Sequence, residues 1–547
     1  MARMKFLCDA DRCIDCNACV TACKNEHEVP WGINRRRVVT LDDGQPGERS
    51  VSMACMHCTD APCQAVCPVN AIYTTADGVV LHSKDICIGC GYCFYACPFG
   101  APQYPHVGNF GSRGKMDKCT FCAGGPEPDG SAAEYEKYGT NRLAEGNCRS
   151  APRCARPSRS SLATAKSSRR FTQRASNNAV MDPALGAGRR HTAKRSAHNE
   201  QQKMKSGGNA VQALAAPLRI VCILVFLAVA AIVNPTATQA QSVNPTKSAV
   251  SEEQLLQQSK TIRGLGHIPD TKSYTLEQPA GRDWRHFHEV TLRWIGGIAI
   301  LGMLAVLIIF YLSRGMVRIE DGRSGRTIVR FNAFERFVHW MTAVCFVILA
   351  LSGLNITFGR SLLLPLMSPE AFTAFSEWAK YAHNFLSFPF TLGVVLIFLM
   401  WLGSNLPTRV DLEWLKRGGG MIGHDHPPAH RFNAGQKLIY WAVVLGGGAA
   451  AVSGYVLIFP FYGTTVETMQ QAEMVHSIVA MLFIAVMLAH IYIGTIGMEG
   501  AFEAMGSGTV DLNWAKEHHS LWLEEEDARG RTGPSHPRPT VVAGQEP

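Results

Sequence analysis

Residues 474–490 read MVHSIVAMLFIAVMLAH. No Asp, Glu, Lys or Arg interrupts the run, yet it carries two histidines, His476 and His490. A spacing of fourteen residues on a helix is about 21 Å along the axis and within roughly 40° of whole turns. The two side chains therefore share one face at two depths. An ionisable side chain inside a membrane span is costly and marks function. Two on one face predict two metal-bound groups stacked along the helix.

That run closes a series of five apolar stretches, at 292–313, 337–357, 382–403, 438–460 and 473–496. Each is near the ~20 residues that cross a bilayer. Segment 314–336 carries six arginines and 404–437 carries five Lys or Arg, against one in 358–379 and none in 461–472. The basic loops are expected in the cytoplasm. Residues 241–290 then form a periplasmic segment, 291–314 an extra span, 328–498 a four-helix domain and 499–547 a cytoplasmic tail. This topology puts His339 with His490 at the cytoplasmic depth and His383 with His476 at the periplasmic depth. Each pair predicts bis-histidine ligation of one b-type haem, two haems in all. Gly353 and Gly454 either leave room for the haems or serve ordinary helix packing. His286, His288, His424, His426 and His430 are expected on solvated loops.

The first part of the sequence is of another kind. Of 19 cysteines, 17 precede residue 155. CIDCNACVTAC supplies Cys13, Cys16, Cys19 and Cys23. CMHCTDAPCQAVCP supplies Cys55, Cys58, Cys63 and Cys67, and CIGCGYCFYACP supplies Cys87, Cys90, Cys93 and Cys97. The C-x2-C-x2-C-x3-C-P run puts three thiolates on one [4Fe–4S] cube and sends the fourth to a second cluster. Disulfides do not require a repeated spacing, and zinc sites rarely place four cysteines in so short a run. A fourth set opens at Cys119 and Cys122 but does not close, because Cys148 and Cys154 have the wrong spacing. Cys8 belongs to no set and reads as a free core or loop thiol. Up to four clusters are expected, two of them incomplete in the sequence as written.

Residues 147–205 hold fourteen Lys or Arg against two Asp or Glu. With the basic loops, that stretch accounts for the net charge of +9, so the charge does not argue for nucleic acid. Residues 147–203 have no hydrophobic period and read as a disordered basic linker. From Met204 to Ala240, two basic residues, an apolar run and a small-x-Ala end give the plan of a secretory signal peptide. Either a second protein begins there or 218–233 is a short membrane helix of a genuine fusion. The expected whole is multidomain. It comprises a small α+β double-ferredoxin iron–sulfur domain over 1–146, a disordered linker, and an all-α membrane bundle made of a four-helix cytochrome b plus one extra span.

FLCDADRCIDCNACVTACKNEHEVPWGINRRRVV, VLHSKDICIGCGYCFYACPFGAPQYP and GKMDKCTFCAGG resemble the iron–sulfur (beta) subunit of respiratory formate dehydrogenase, over about residues 4–146. RFVHW, ALSGL, RFNAGQKLIYW and MVHSIVA with LAHIYIG resemble its cytochrome b (gamma) subunit, over about 328–520. By analogy with paired ferredoxin folds, one cluster takes Cys55, Cys58, Cys63 and Cys97, and the other takes Cys87, Cys90, Cys93 and Cys67. The first set then pairs with the fourth. The resemblance further implies a quinone site at Asn433, Gly435 and Gln436 beside His490; a helix N-cap at Asn433 and a structural glycine are the alternatives. It also implies a separate catalytic subunit with a molybdenum or tungsten pterin, and an inner-membrane complex whose iron–sulfur part faces the periplasm. A hydrogenase or another molybdopterin oxidoreductase could share such a wire, as could a polyferredoxin joined to an unrelated cytochrome. In the family the fourth set closes with C-x3-C. Here the resemblance stops after Gly146, but residues 147–168, back-translated and read one base over, permit LPLCAEMCSTKSLLAGDGEVI. That implies a single-base slip just after Gly146.

Overall fold

The computed structural model describes residues 8–123, apart from 28, 30–31, 77 and 105–113, and residues 280–531, apart from 421–425, 461 and 463, with 262–263 and 275–278 besides. The linker 147–203, the segment 204–240, Cys148, Cys154 and His424 lie outside the described residues.

The iron–sulfur part is built from cysteine loops and short elements. Helix α1 (Ala18–Glu26) follows the first loop. Strands β1 (Arg36–Leu41) and β2 (Arg49–Ala54) pair antiparallel, with Arg36 opposite Ala54. The one-turn helix α2 (Pro62–Ala65) precedes a second antiparallel pair, β3 (Ile72–Thr74) and β4 (Val80–His82), and α3 (Tyr92–Ala96) follows the third loop. The core is small: Ile72, Val80, Ile88 and Met116 close around the thiols of Cys63, Cys67, Cys87 and Cys93. So small a core calls for covalent or metal cross-links. A buried Arg35–Asp117 pair at 2.6 Å, joined by Lys84 at 2.9 Å, ties the fourth loop to β1.

A short hairpin of β5 (Ile262–Arg263) and β6 (Thr275–Glu277) precedes the membrane bundle. Among the described residues five helices are long and apolar enough to cross a membrane: α4 (Ala280–Arg314), α5 (Ala333–Leu362), α6 (Pro369–Ser404), then α8 (Ala434–Ile458) and α9 (Val466–Gly497). The amphipathic α7 (Arg409–Lys416) lies between α6 and α8. Local chemistry starts the spans. Asn332 and Glu335 form a reciprocal capping box on α5, and Ser368 caps α6 ahead of Pro369. The helices α5 and α6 form one hairpin, α8 and α9 a second. The extra span α4 packs on α9, where Gly296 lets Met481 and Phe358 approach.

The two ends of the bundle differ. At one end, side chains of the helices capture backbone carbonyls of the iron–sulfur part. Arg360 donates to Ala65 O at 2.7 Å and Cys67 O at 3.2 Å, and Gln470 donates to Tyr95 O at 2.8 Å. Lys380 donates to Ile88 O, and Gln278 to Cys97 O. At the other end, the arginine-rich loop after α4 builds a cap with the stretch expected as a tail. That stretch is folded as far as residue 531. Strand β7 (Thr327–Val329) pairs with β8 (Thr509–Asp511), flanked by α10 (Ala501–Gly506), α11 (Leu512–His518) and α12 (Ser520–Ala528). Trp401, Trp514 and Trp522 fill it. His288 is also not on a solvated loop: it is buried in α4, stacked on Trp284 at 5.1 Å. A π-turn over Phe287–Thr291 turns it inward, and its aromatic neighbours repay the lost water.

The α5–α6 crossing depends on a missing methylene. A Cβ at Gly393 would run into Thr342 Oγ1 and stand 3.0 Å from Thr342 Cβ. Gly393→Ala is expected to cost about 1–3 kcal/mol, read as a lower thermal midpoint of the detergent-solubilised protein. An unchanged midpoint would contradict this packing.

Candidate functional site

Three thiols reach one cube only if the backbone turns sharply between them. In the first C-x-x-C loop of each set the second intervening residue has positive φ: Asp15 at 52°, His57 at 44°, Gly89 at 69° and Phe121 at 61°. Such backbone costs energy for any residue but glycine and persists where function over-determines it. The turn aims backbone N–H groups at sulfur, as where Phe121 N donates to Cys119 Sγ at 3.4 Å. The loop at Cys119 and Cys122 thus has the backbone of the three complete sets, although its closing pair is absent from the described residues.

Cys55, Cys58, Cys63 and Cys97 line one cavity, together with Ala61, Pro62 and the buried Lys118. Cys67 neighbours Cys87, Cys90 neighbours both, and Cys93 neighbours Cys90, Cys87 and also Cys63 of the first cavity. Cys23 and Cys119 are likewise neighbours. Burial pushes the Cys23 and Cys90 thiols up to about 12, and the Cys63 thiol well up. Apolar walls thus favour the protonated thiol until a metal displaces the proton. These donor sets fit [4Fe–4S] clusters. Cys8 accepts from Ser52 N at 3.4 Å and stands outside the quartets.

The four helix histidines stand in two close pairs. The ring centroids of His383 and His476 are 6.1 Å apart, and those of His339 and His490 are 6.2 Å apart. A metal–imidazole bond is about 2.0 Å, and the donor nitrogen lies roughly 1.1 Å from its ring centre. Two imidazoles on opposite sides of one iron therefore have centres about 6.2 Å apart. Both gaps fit one bis-histidine iron each.

At the pair nearer the iron–sulfur part, the remaining ring nitrogens are held alike. His383 Nδ1 is 2.9 Å from Ser352 Oγ and 3.1 Å from Leu349 O. His476 Nδ1 is 3.2 Å from Ser453 Oγ and 3.0 Å from Ala450 O. A carbonyl can only accept, so Nδ1 carries the proton and Nε2 is left as the metal donor. Gly353 and Gly454 follow these serines, and a Cβ there would meet the imidazoles at 3.4 and 3.2 Å. The glycines accommodate the ligand rings themselves. The repeated Ser–Gly in ALSGL and AVSGY was the signal for these serines. At the far pair, His339 Nδ1 is buried with no hydrogen-bond partner among the described residues.

Asn433 and Gln436 are placed side by side by a capping box at the start of α8. Asn433 Oδ1 accepts from Gln436 N at 2.9 Å, and Gln436 Oε1 accepts from Asn433 N at 3.2 Å. A Cβ at Gly435 would meet the Trp414 ring at 3.1 Å. The carbonyl oxygens of both side chains are thus committed to the cap. Arg330, buried beside Phe331, Trp514 and Trp522, reaches the same Gln436 oxygen at 3.5 Å.

Residues 330–508 match the family described as prokaryotic cytochrome b561, and residues 49–132 match the 4Fe-4S dicluster domain. The protein is 64% identical over 155 residues to the formate dehydrogenase iron-sulfur subunit of Wolinella succinogenes, which is 28% of this sequence and 76% of that relative. It is 31% identical over 203 residues to the formate dehydrogenase cytochrome b556(fdo) subunit of Escherichia coli K12, which is 36% of this sequence and 93% of that relative. It is 36% identical over 134 residues to the B subunit of the anaerobic dimethyl sulfoxide reductase of Haemophilus influenzae, which is 22% of this sequence and 63% of that relative. The protein belongs in its first part to the formate dehydrogenase iron–sulfur subunits and in its last part to the formate dehydrogenase cytochrome b subunits. Iron–sulfur clusters and b-type haem are its cofactors.

Removing both histidines of one pair, as in His339→Ala with His490→Ala, is expected to leave one haem per protein molecule. Removing one from each pair, as in His383→Ala with His490→Ala, is expected to leave none. Haem extracted per mole of protein reads both. A cross-pair variant that keeps a haem contradicts the pairing.

Proposed function

We propose that this protein joins the two electron-transfer subunits of a membrane formate dehydrogenase. In this reading it connects a separate molybdenum or tungsten pterin subunit, where formate is oxidised, to a membrane quinone. The observation that carries the reading is the docking of the Cys87–Cys97 loop onto the same helix ends that hold His383 and His476. Lys380 lies one turn before His383, and Gln470 lies under two turns before His476. Both bond the iron–sulfur part directly. The greater identity to the formate dehydrogenase subunit than to the dimethyl sulfoxide reductase subunit favours formate.

When bound, the clusters and haems carry single electrons. The protein's residues position them. The thiol quartets of Cys55, Cys58, Cys63 and Cys97 and of Cys67, Cys87, Cys90 and Cys93 hold two cubes. Cys13, Cys16 and Cys19 begin a third, and Cys119, Cys122 and Cys23 begin a fourth. His383 with His476 and His339 with His490 hold two haems at two depths of α9. The carbonyls of Leu349 and Ala450 keep the nearer pair in the metal-binding tautomer. The arginine-rich loops orient the cap to the cytoplasm and the iron–sulfur part to the periplasm. Gln436 keeps its amide N–H groups outside the capping box, so it can donate to a quinone carbonyl at the cap end near His490. Protons for the quinol would then come from the cytoplasm while those of formate are released outside.

Membranes containing the complex should show haem reduced by formate. Replacing His383 or His476 should abolish that reduction while formate-to-dye activity persists. Replacing His490 should spare reduction of the nearer haem and stop quinone reduction. Haem that stays oxidised with formate, in membranes that oxidise formate with dye, contradicts the reading.

The incomplete fourth set is assigned to a slip of one base after Gly146, with the closing C-x3-C in the neighbouring frame. DNA sequence around codon 147 is expected to show the indel relative to close relatives. An intact frame there contradicts it.

A further inference from the structure

Two cations of the membrane helices, Arg360 and Lys380, bond backbone carbonyls of the iron–sulfur part, and of these Lys380 is the buried one. Lys380 is 6% exposed. Its ammonium donates to the carbonyl of Ile88, inside the Cys87–Cys90 ligand loop. A Cβ at Gly89 would stand 3.5 Å from Lys380 Nζ, so the charge rests on the loop itself. Among the described residues no carboxylate lies within the 4.0 Å of an ion pair with it. Glu377, one turn earlier, is instead 3.4 Å from Lys115. Tyr381 adds a ring face 5.0 Å from the ammonium, and Glu473 on α9 hydrogen bonds Tyr92 rather than Lys380.

Glu377 and Lys115 act on Lys380 through space with opposite signs, and a buried ammonium bonded only to a carbonyl beside a ring is costly unless further negative charge faces it. The nearest candidates are the thiolates of Cys87 and Cys90 and the cluster that they hold. A cluster becomes more negative by one charge on reduction. A fixed cation in a poorly solvated site therefore stabilises the reduced form and raises the potential.

We propose that Lys380 is the counter-charge of the cluster at Cys67, Cys87, Cys90 and Cys93. In that role it raises this cluster's potential at the place where electrons leave for the haem held by His383. Lys380 acts as a positioning residue, through the cluster's charge rather than by touching a reactant. The proposal rests on the cluster assignment above, but its test does not use formate.

The experiment is a redox titration of membranes carrying the whole complex, with dithionite and mediators, followed by low-temperature electron paramagnetic resonance. Lys380→Met is expected to lower one cluster's midpoint by at least a tenfold change in its oxidised-to-reduced ratio, 59 mV for one electron. The other cluster midpoints should stay in place, and Lys380→Arg should stay close to the parent. A Lys380→Met protein with its cluster assembled and every midpoint unchanged overturns the proposal. If Lys380→Met fails to assemble that cluster, Lys380→Gln keeps a donor without the charge, and a parental midpoint there overturns it equally. Clusters that titrate as expected in membranes where formate reduces no haem would defeat the functional reading and leave this proposal standing.

Discussion

Two imidazoles that bind one iron from opposite sides must come from elements held at a fixed distance and register. That constraint organises the membrane half of this protein. Helix α9 supplies one histidine to each pair, His476 and His490, about four turns apart. Helix α6 answers at one depth with His383, and α5 at the other with His339. The 6.1 and 6.2 Å ring separations fix both neighbours against α9. The close Gly393–Thr342 crossing of α5 and α6 follows from that demand, as do Gly353 and Gly454 behind the rings.

The two depths are not equivalent. The pair nearer the iron–sulfur part has both Nδ1 atoms tied to a serine and a carbonyl, while His339 lacks any such partner among the described residues. A hydrogen-bonded Nδ1 makes the imidazole a stronger donor and favours the oxidised metal. Electrons should then rest more readily at the far pair, which is the direction a route toward the cap requires.

Much of this was legible in the sequence because the chemistry is local in spacing. Cysteine intervals marked the three sets, analogy with paired ferredoxin folds suggested the cross-set quartets, and the helical period with loop charge suggested pairing His339 with His490 and His383 with His476. What escaped depends on tertiary neighbours. The stretch from 499 has mixed charge and no long apolar run, so it read as a tail, yet Trp514 and Trp522 bury against Trp401 once α5 and α6 are in place. His288 looked solvated because a π-turn, invisible in composition, turns it inward. Lys380 carries no signal in the sequence; only docking shows it on the Cys87–Cys90 loop. Asn433 and Gln436 show the reverse, a capping box readable from Asn-x-x-Gln.

The central claim is that the iron-binding groups form one line through two cross-set cysteine quartets and two histidine pairs. An iron anomalous-scattering map of the purified complex tests it most directly. It should show single irons midway between His383 and His476 and between His339 and His490, about 21 Å apart along α9. It should also show compact iron clusters at Cys55, Cys58, Cys63 and Cys97 and at Cys67, Cys87, Cys90 and Cys93. Iron missing from either histidine gap, or a cluster held by Cys55, Cys58, Cys63 and Cys67, would contradict it.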